Sequence, residues 1–351
     1  MNKQLCQTSL ALATYAVLGL AMSQPVTAAP LYSVTEIVGD FNSNDFTDVN
    51  AINNKGEIVF DSGIATGDNA AFQAYLYSDG KLQDIGSLGN PINVPSDIND
   101  KGQVAGFSSY YNWTNYSFSS RAYLYSLGKM LDIGSLGGDY NVANGINNKG
   151  QVVGFSGTRT VANGDSGRAF LYSRGKLQDL GSLGGPNNVA TAINNNSQVV
   201  GYSGTSNLSS SRAFLYSDGK LQDLGSLGGS VNVARGINDK GQVVGYSGSR
   251  AFLYSDGKLK DLGSFGGISD ALGINNKGQV VGYSYTSSGE YSAHAFLYSN
   301  NKLQDLNSLI PPKSKVTLQS AVGINDNGQI AATGSINNDS ATHVFLLTPK
   351  P

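Results

Sequence analysis

A short stretch near the N-terminus spaces oxygen-bearing side chains as a hard cation requires. Its residues Asp40, Asn42, Asn44 and Asp48 occupy relative positions 1, 3, 5 and 9. A tight loop turns every second side chain inward, so these oxygens could surround a calcium ion. Asp45 stands where such loops place a glycine for their sharp turn, and the pattern occurs once. The spacing makes calcium the candidate cofactor. Because the glycine is missing and the pattern is not repeated, we favour the alternative, a solvated acidic loop without a bound metal.

Catalytic carboxylates are a second form of chemistry that the sequence allows. Four of them lie in segments that vary along the chain: Asp139, Asp165, Asp270 and Glu290. Two carboxyl groups on either side of a glycosidic bond could cleave it, but sequence does not show which of them converge. The chain has no Gly-x-Ser-x-Gly elbow, no distinctive Ser/His/Asp set and no phosphate-binding glycine loop ahead of a helix. We favour a non-enzymatic protein, with an extracellular polysaccharide hydrolase or lyase as the alternative.

One aromatic-rich segment, residues 108–120, is the candidate binding loop. It contains Tyr110, Tyr111, Trp113, Tyr116 and Phe118, including the only tryptophan of the chain. Exposed rings among Asn and Ser would suit stacking on sugar rings or contact with a protein partner. The alternative is that the rings fold over the adjacent strands and pack there.

These residues must be positioned by a repeated unit. Taking the isoleucine of an Ile-Asn pair as the mark, copies begin at Ile52, Ile98, Ile146, Ile193, Ile237, Ile274 and Ile324. Each copy contains short runs rich in β-branched and aromatic residues, separated by turn sequences such as Asn-Asn-Lys-Gly, Asn-Asp-Lys-Gly and Asp-Gly, which predicts four antiparallel strands. The shortest copy, between Ile237 and Ile274, leaves no room for a helix. The chain is therefore predicted to be all-β, with seven repeats of four strands.

Two sets of residues recur from copy to copy. The first is an aspartate near the end of the fourth strand: Asp84, Asp132, Asp179, Asp223, Asp261 and Asp305. A catalytic acid would be expected once, so we predict that these aspartates bond to backbone amides at a turn. The second is a cation before Ala-Phe or Val-Phe and their equivalents: Arg121, Arg168, Arg212, Arg250, His294 and His343. A positive ring for an anionic ligand, or a histidine metal site, is the alternative to our preferred pairing with the aspartates.

The two ends of the chain are offset in a way that selects an architecture. The segment 31–39 aligns with a fourth strand, whereas the last copy stops after its third strand at 344–348. A ring uses this offset, because the first strand can complete the last sheet. A period of about 40 to 45 residues with four strands per unit is typical of propellers. We predict a seven-bladed β-propeller over residues 29–351, its last blade closed by the N-terminal strand.

The first 28 residues resemble a secretory signal. A short basic start precedes an apolar run from Leu10 to Met22, and a small-x-small pattern ends at Ala28. Cys6, the only cysteine, lies within this segment, so we expect no disulfide in the exported chain. The net charge of −2 argues against nucleic acid and against an electrostatically held membrane surface, because both need a basic patch. We expect a secreted or periplasmic protein with no transmembrane anchor.

The repeat itself resembles a known family. His294-Ala-Phe296 and its Arg-Ala-Phe counterparts, preceded by Gly-Ile-Asn-Asn-x-Gly-Gln-Val-Val-Gly and followed by Asp-Leu-Gly-Ser-Leu-Gly-Gly, are similar to the HAF family of probable extracellular repeats. The resemblance covers nearly the whole exported chain and implies export without defining a biochemical role. Separately, the segment 40–48 resembles the calcium loop of FG-GAP propeller repeats.

These observations together predict a binding protein. By strand alternation, the connections between second and third strands lie at the same end as those between fourth and first strands, so both border one mouth of a central channel. Binding residues are commonly carried by such variable loops. We expect an exported module that binds a glycan or another cell-surface or extracellular partner at this mouth.

Overall fold

A computed structural model describes residues 31–37, 46–66, 69–112, 117–158, 166–205, 209–286, 293–337, 339 and 341–351. The predicted signal peptide, residues 1–28, lies outside these ranges. The described chain is all-β and β-propeller-like, as the repeat pattern predicted. Its only helical elements are two 3-10 turns, Leu306–Ser308 and Pro312–Ser314, and no described helix could traverse a bilayer.

Twenty-eight strands follow one another along the described chain. The first fourteen are β1 (Tyr32–Glu36), β2 (Phe46–Ile52), β3 (Ile58–Thr66), β4 (Asn69–Ser78), β5 (Lys81–Asp84), β6 (Ile92–Ile98), β7 (Val104–Asn112), β8 (Ser117–Ser126), β9 (Lys129–Asp132), β10 (Tyr140–Ile146), β11 (Val152–Thr158), β12 (Ser166–Ser173), β13 (Lys176–Asp179) and β14 (Asn188–Ile193). The others are β15 (Val199–Gly204), β16 (Ser211–Ser217), β17 (Lys220–Asp223), β18 (Asn232–Ile237), β19 (Val243–Ser247), β20 (Arg250–Ser255), β21 (Lys258–Asp261), β22 (Gly266–Ile274), β23 (Val280–Thr286), β24 (Ala293–Ser299), β25 (Lys302–Asp305), β26 (Val316–Ile324), β27 (Ile330–Ile336) and β28 (His343–Pro349).

The strands form antiparallel units of four, one for each repeat. Four sheets contain four strands each, and a twelve-stranded sheet contains three such units. Parallel bridges, Phe72 to Ile92 and Ser120 to Tyr140, join the units of that larger sheet. Each bridge links the start of a third strand to the start of the next first strand. The second-to-third and fourth-to-first connections therefore lie at the same end of the strands, as predicted; we name this end the mouth.

Turn residues explain why the strands pair in this order. Asp79 and Gly80 both have positive φ angles, 50° and 75°, as a tight two-residue hairpin turn requires. The same combination recurs at Asp218-Gly219 and Asp256-Gly257. The first hairpin of each repeat turns through Asn-Asn-Lys-Gly or a close variant. In the first repeat, for example, the backbone N–H of Gly56 donates to the carbonyl of Asn53 at 3.0 Å.

The first described strand pairs with the last. Strand β1 runs antiparallel to β28 with Tyr32 opposite Pro349 and Glu36 opposite Phe345, so the last sheet has the order β1-β28-β27-β26. The expected pairing of the N-terminal strand with 344–348 is therefore present. It supplies the fourth strand that the seventh repeat lacks in sequence.

Among the described residues, seven clusters of buried side chains lie between pairs of repeats. Six of them join successive repeats, such as the cluster in which Val153 and Ala169 contact Val199 and Phe214. The seventh joins the last repeat to the first and includes Ala331 and Val344 together with Val49, Ile58 and Phe60. Each sheet is buried on both sides, which explains the consecutive apolar residues in the second and third strands.

The segment 108–120 differs from its prediction as a loop. Strand β7 continues to Asn112 and β8 starts at Ser117, with Tyr110 opposite Ser119 and Tyr111 opposite Phe118. Aromatic residues in adjacent strands favour a longer hairpin by packing across it. Most of the predicted insertion is therefore an extension of the hairpin of repeat two.

Candidate ligand-binding groove

Each first strand contains a β-bulge, and the residue at the bulge varies between repeats. At the same place in all seven first strands the register shifts, which leaves one residue without a cross-strand partner. These residues are Asn50, Ser96, Asn144, Thr191, Arg235, Leu272 and Val322. A bulge re-aims the side chain that it carries, and bulges are common beside functional sites. The bulges place six different residue types, in seven repeats, on an otherwise regular wall.

Several bulge side chains connect to the next repeat. Asn144 Nδ2 donates to the carbonyl of Ala190 at 2.8 Å, and Thr191 Oγ1 donates to the carbonyl of Ala234 at 2.8 Å. Arg235 reaches Asp270 in the same direction. These three bulges therefore hold neighbouring first strands together.

A groove crosses repeats three to five on this wall. A pocket of about 140 Å³ is bordered by Tyr140, Asn144, Phe155 and Tyr202. A second pocket of about 380 Å³ is bordered by Tyr202, Arg235, Tyr246 and the hydroxyl-bearing residues of 205 and 209–211. The two pockets share Asn187 and Tyr202, so they lie side by side; we name them together the mouth groove. It combines aromatic rings with hydroxyl, amide and guanidinium groups.

Arg235 is fixed at one end of the mouth groove. Its Nη2 and Nε lie 3.1 Å and 3.3 Å from Asp270 Oδ2, and its Cζ lies 5.3 Å from the ring centroid of Tyr246. The Asp270 side chain is 5% exposed, and its Oδ1 has no hydrogen-bond partner among the described residues. Burial raises the pKa of Asp270 to about 6, although the charge of Arg235 lowers it. The ion pair and the ring hold the guanidinium still, and its other N–H donors can reach a ligand.

The aromatic side chains of the predicted binding loop divide into two groups. Tyr110 is 46% exposed, whereas Tyr111 and Phe118 contact each other with ring centroids 6.5 Å apart. Phe118 contacts Tyr140 edge-on at 5.2 Å, and Tyr140 contacts Phe155 at 5.3 Å. Trp113 and Tyr116 lie outside the described residues. Tyr111 and Phe118 therefore pack against neighbouring rings, and the row of rings continues to Tyr140 and Phe155, which border the mouth groove.

The predicted calcium ligands are described only in part. Asp40, Asn42 and Asn44 lie outside the described residues, whereas Asp48 lies in β2 directly opposite Asp61 of β3. Asn50 Nδ2 donates to Asp61 Oδ1 at 2.8 Å. Burial raises the pKa of Asp61 to about 7, and the charge of Asp48 adds to this rise while the Asn50 hydrogen bond opposes it. Within the described ranges, no three His, Cys, Asp or Glu side chains form a metal-binding group.

The four carboxylates considered for catalysis have different surroundings. Asp139 is exposed, Asp270 is paired with Arg235, and Asp165 and Glu290 lie outside the described residues. In the described part of the mouth, the facing carboxylates are instead Asp48 and Asp61.

The recurrent aspartates have the predicted structural role. Asp132 Oδ1 accepts from the backbone N–H of Gly134 at 2.9 Å, and Asp179 Oδ1 accepts from Gly181 at 2.8 Å. The same bond is made by Asp84, Asp223, Asp261 and Asp305.

Pairing of the recurrent cations with acidic groups is also confirmed. The Arg–Asp pairs lie 3.6 to 3.8 Å apart: Arg121–Asp132, Arg168–Asp179, Arg212–Asp223 and Arg250–Asp261. His294 Nδ1 lies 2.7 Å from Asp305, and His343 lies 2.7 Å from Glu36 and 3.0 Å from Asp339. Partial burial lowers the pKa of His343, but the hydrogen bonds to Asp339 and Glu36 outweigh it and raise the pKa overall.

The opposite end of the strands, which we name the turn face, is highly regular. Asn147 Oδ1 accepts from the N–H groups of Lys149 and Gln151, and its Nδ2 donates to Gln151 Oε1 and to the carbonyl of Asn194. Equivalent asparagines bond from each repeat to the next: Asn53 to Asn99, Asn99 to Asn147, Asn194 to Asn238, Asn238 to Asn275 and Asn275 to Asn325. Asn325 Nδ2 then donates to the carbonyl of Asn53 at 2.9 Å.

A second series of hydrogen bonds lies beside the first. The backbone N–H of Asn54 donates to Asp100, and donors and acceptors continue in the same direction through Asn148, Asn195, Asp239, Asn276 and Asp326. Asp326 N–H donates to Asn54 Oδ1 at 2.8 Å. The two series surround a pocket of about 190 Å³. Its side chains bond mainly to one another, so the mouth groove is the better candidate for ligand binding.

No family model matches this chain, and no curated protein matches it. Among solved structures, TolB from Acinetobacter baumannii shares 14% identity over 77% of this chain and 63% of its own, with a TM-score of 0.45. The β-propeller domain of the Trilobed protease from Pyrococcus furiosus shares 11% over 73% and 82%, with a TM-score of 0.48. Acylaminoacyl peptidase from Pyrococcus horikoshii shares 11% over 83% and 58%, with a TM-score of 0.45.

The chain therefore spans less than two thirds of TolB and of the peptidase. All three scores lie below 0.5, and none of the three proteins supplies a function for this chain.

Sequence reasoning missed Arg235, Tyr202, Tyr246 and Asn187 as members of one groove. A signal for Arg235 was present, because the residue two positions before the isoleucine of each Ile-Asn pair varies, whereas the residue after it is Gly or Ala in six of the seven repeats. The convergence of the other three depends on how consecutive sheets pack, which the spacing of residues within one repeat does not contain.

Proposed function

We propose that the chain is an exported, non-enzymatic binding module that holds a glycan in the mouth groove. One observation carries this proposal: aromatic rings and hydrogen-bonding groups line two adjacent pockets over three repeats, with Arg235 fixed at one end. Sugars offer apolar ring faces and polar edges, so they need both kinds of group. A groove across several repeats suits a polysaccharide chain better than a small compact ligand.

We further propose that the seven repeats form a closed seven-bladed ring within a single domain, residues 29–351. Support comes from the buried cluster between the last and first repeats and from the two hydrogen-bond series that return from Asn325 and Asp326 to Asn53 and Asn54. A Cβ added to Gly323 would meet Ile52 Cγ2 at 3.1 Å, so these two first strands are in close contact. Membership of the HAF family and export through residues 1–28 remain proposals that rest on the sequence.

The decisive experiment compares two double variants on immobilised polysaccharides. Tyr202→Ala with Tyr246→Ala removes two rings from the mouth groove, and we expect binding to weaken about 30-fold, because each ring contributes roughly fivefold. Trp113→Ala with Tyr116→Ala tests the aromatic loop instead and should leave binding nearly unchanged. Urea unfolding of each variant confirms that the fold is retained.

Two results would contradict the groove. Loss of binding in the Trp113/Tyr116 variant alone would place the glycan on the loop. Failure of the wild-type chain to bind any glycan in a broad screen would exclude glycan binding and leave an extracellular protein partner to be sought.

An extracellular polysaccharide hydrolase or lyase is the alternative function. The observation that favours it is the carboxylate pair of Asp48 and Asp61, which face each other across β2 and β3. Release of reducing ends or unsaturated products from polysaccharides, abolished in Asp61→Asn, would establish it. A complete lack of product with glycans that the chain binds would exclude it.

Calcium binding at Asp40, Asn42, Asn44 and Asp48 is a separate proposal. Calcium should raise the melting temperature of the wild-type chain, because a ligand that binds the folded state stabilises it. Asp48→Asn should abolish this rise. Equal melting temperatures of the wild-type chain with calcium and with a chelator would remove calcium from the proposal.

A further inference from the structure

The turns of the turn face all lie at one end of the strands. In the first six repeats the first-to-second and third-to-fourth turns lie at the same end, because consecutive strands are antiparallel, and the first-to-second turn of the seventh repeat lies there too. The asparagine series described above ties the inner turns of all seven repeats together. The hairpin tips therefore form two concentric sets, an inner set near the axis and an outer set near the rim.

Both sets are rich in lysine. The inner turns carry Lys55, Lys101, Lys149, Lys240 and Lys277, and the outer turns carry Lys81, Lys129, Lys176, Lys220, Lys258 and Lys302. All eleven are exposed, as is Arg174, which occupies an outer turn. The sequence places these lysines at one repeated position of each turn, so the fold brings them to a single face.

The acidic residues of these turns do not cancel the lysines. Twelve basic side chains face seven acidic ones: Asp79, Asp218, Asp256, Glu57, Asp100, Asp239 and Asp326. Four of the seven are engaged inside the turns; Glu57, for example, accepts from Asn53 and Ser78. Partial burial raises the pKa of Asp100, but the hydrogen bonds from Asn54 and Asn148 outweigh this effect and lower the pKa overall. The turn face carries excess positive charge, and the net charge of −2 conceals it because acidic groups dominate elsewhere.

Repeat two adds an apolar element to this face. Leu127 is 97% exposed and has a φ of 50°, a conformation that leucine rarely adopts. The equivalent residues of other repeats are polar: Asp79, Arg174, Asp218, Asp256 and Asn300. Leu131, in the adjoining strand β9, is 52% exposed and replaces a glutamine that elsewhere bonds to a tyrosine of the next repeat, as Gln83 does to Tyr125. Neither leucine packs into the core, so the fold does not explain why an apolar residue is exposed at these two positions.

We infer that the turn face docks on an anionic lipid bilayer, with Leu127 and Leu131 entering its headgroup boundary. The lysines at the hairpin tips all lie at the same end of the strands, and this gives that end the dense positive charge that an anionic lipid surface attracts. A flexible acidic polymer would need a groove flanked by cations, and the central pocket of this face is lined by Asn, Asp and Ile. Exposed leucines beside lysines are the combination that interfacial membrane binding uses. Docking in this orientation leaves the mouth groove directed away from the lipid.

The test is co-sedimentation of the chain lacking residues 1–28 with vesicles of phosphatidylglycerol and phosphatidylcholine, compared with phosphatidylcholine alone. We expect binding only to the anionic vesicles, and its loss as salt rises from about 0.05 M to about 0.5 M. Lys129→Gln with Lys176→Gln should weaken binding about 30-fold, because a lysine near an anionic surface contributes roughly fivefold. Leu127→Asn should weaken it about tenfold without disturbing the turn, because asparagine tolerates positive φ.

The matched control is Lys313→Gln with Lys315→Gln. These two exposed lysines lie in the connection between β25 and β26, at the mouth, and their loss changes the net charge by the same amount. Equal weakening by the two lysine pairs, or no binding of the wild-type chain to anionic vesicles at low salt, would overturn the inference. Binding to soluble acidic polysaccharide through Lys129 and Lys176 without vesicle binding would also overturn it. Glycan binding at the mouth should be unaffected by all of these variants, so the two proposals fail separately.

Discussion

The two ends of the strands use the same repeat in opposite ways. At the turn face, an asparagine recurs in all seven repeats and makes the same bonds each time. Away from this face, the bulges of the first strands carry six different residue types in seven repeats, and the second strand carries Asp61, Phe107, Phe155, Tyr202, Tyr246, Tyr283 or Thr333 at one position. Identical residues tie the repeats together, and the departures from identity create a site. In a repeat protein, a functional site is therefore best sought at equivalent positions that carry different residues in different repeats.

The largest expected effect tests the regular end. Asn147→Ala removes four hydrogen bonds and leaves buried backbone groups without partners, so we expect the free energy of unfolding to fall by about 4 kcal/mol. Asn144→Ala, in the mouth groove, removes one bond and should cost about 1 kcal/mol. Urea denaturation of both variants measures the difference. Equal losses would mean that the turn face is no more important to stability than the mouth.

A pH-dependent effect of intermediate size tests the mouth. The pKa of Asp270 is raised to about 6, above its value in the unfolded chain. Its contribution to stability is therefore fully present below about pH 4 and is lost as the pH rises through 6. A shift of this size corresponds to about 3 kcal/mol between pH 4 and pH 8. Asp270→Asn should remove that part of the pH dependence, as measured by thermal unfolding across this range; a profile identical to wild type would contradict it.

The smallest effect concerns the recurrent ion pairs. Arg168 and Asp179 lie 3.6 Å apart, with about half and two fifths of their side chains exposed. Exposed pairs contribute about 0 to 1 kcal/mol, so Arg168→Ala should change the free energy of unfolding by less than about 0.5 kcal/mol. The same variant should not alter glycan binding, because Arg168 does not border the mouth groove. A large loss of glycan binding would instead revive the positive ring for an anionic ligand.

The sequence predicted those features that are encoded within one repeat. Asp-Gly and Asn-Asn-Lys-Gly specify turns locally, so strand number, strand order and the roles of Asp132 and Arg168 could be predicted. The offset of 31–39 predicted the pairing of β1 with β28. Features that depend on several repeats were missed. Tyr202, Asn187 and Arg235 line the same pocket only because of the angle at which successive sheets pack. The net charge of the chain does not reveal that most of its lysines lie on one face.

The extension of β7 and β8 was missed for a different reason. Ser108 to Asn112 and Ser117 to Ser120 have turn-like serines and asparagines, which indicated a loop. Tyr111 and Phe118 lie opposite each other and stabilise the longer hairpin through their contact, an interaction between strands that a reading along the chain does not reveal.

The pairing of β1 with β28 has a consequence for how this protein folds. Ser33 and Thr348 are hydrogen-bonded although 315 residues separate them. Contacts between such distant residues form slowly, because the chain must first lose the entropy of closing the intervening loop. During synthesis, β1 therefore has no partner until the final strand has been made, and the edge of β28 stays open until the two meet. Folding should accordingly end with a slow step that joins the termini, and the intermediate before it should be the species most prone to aggregate.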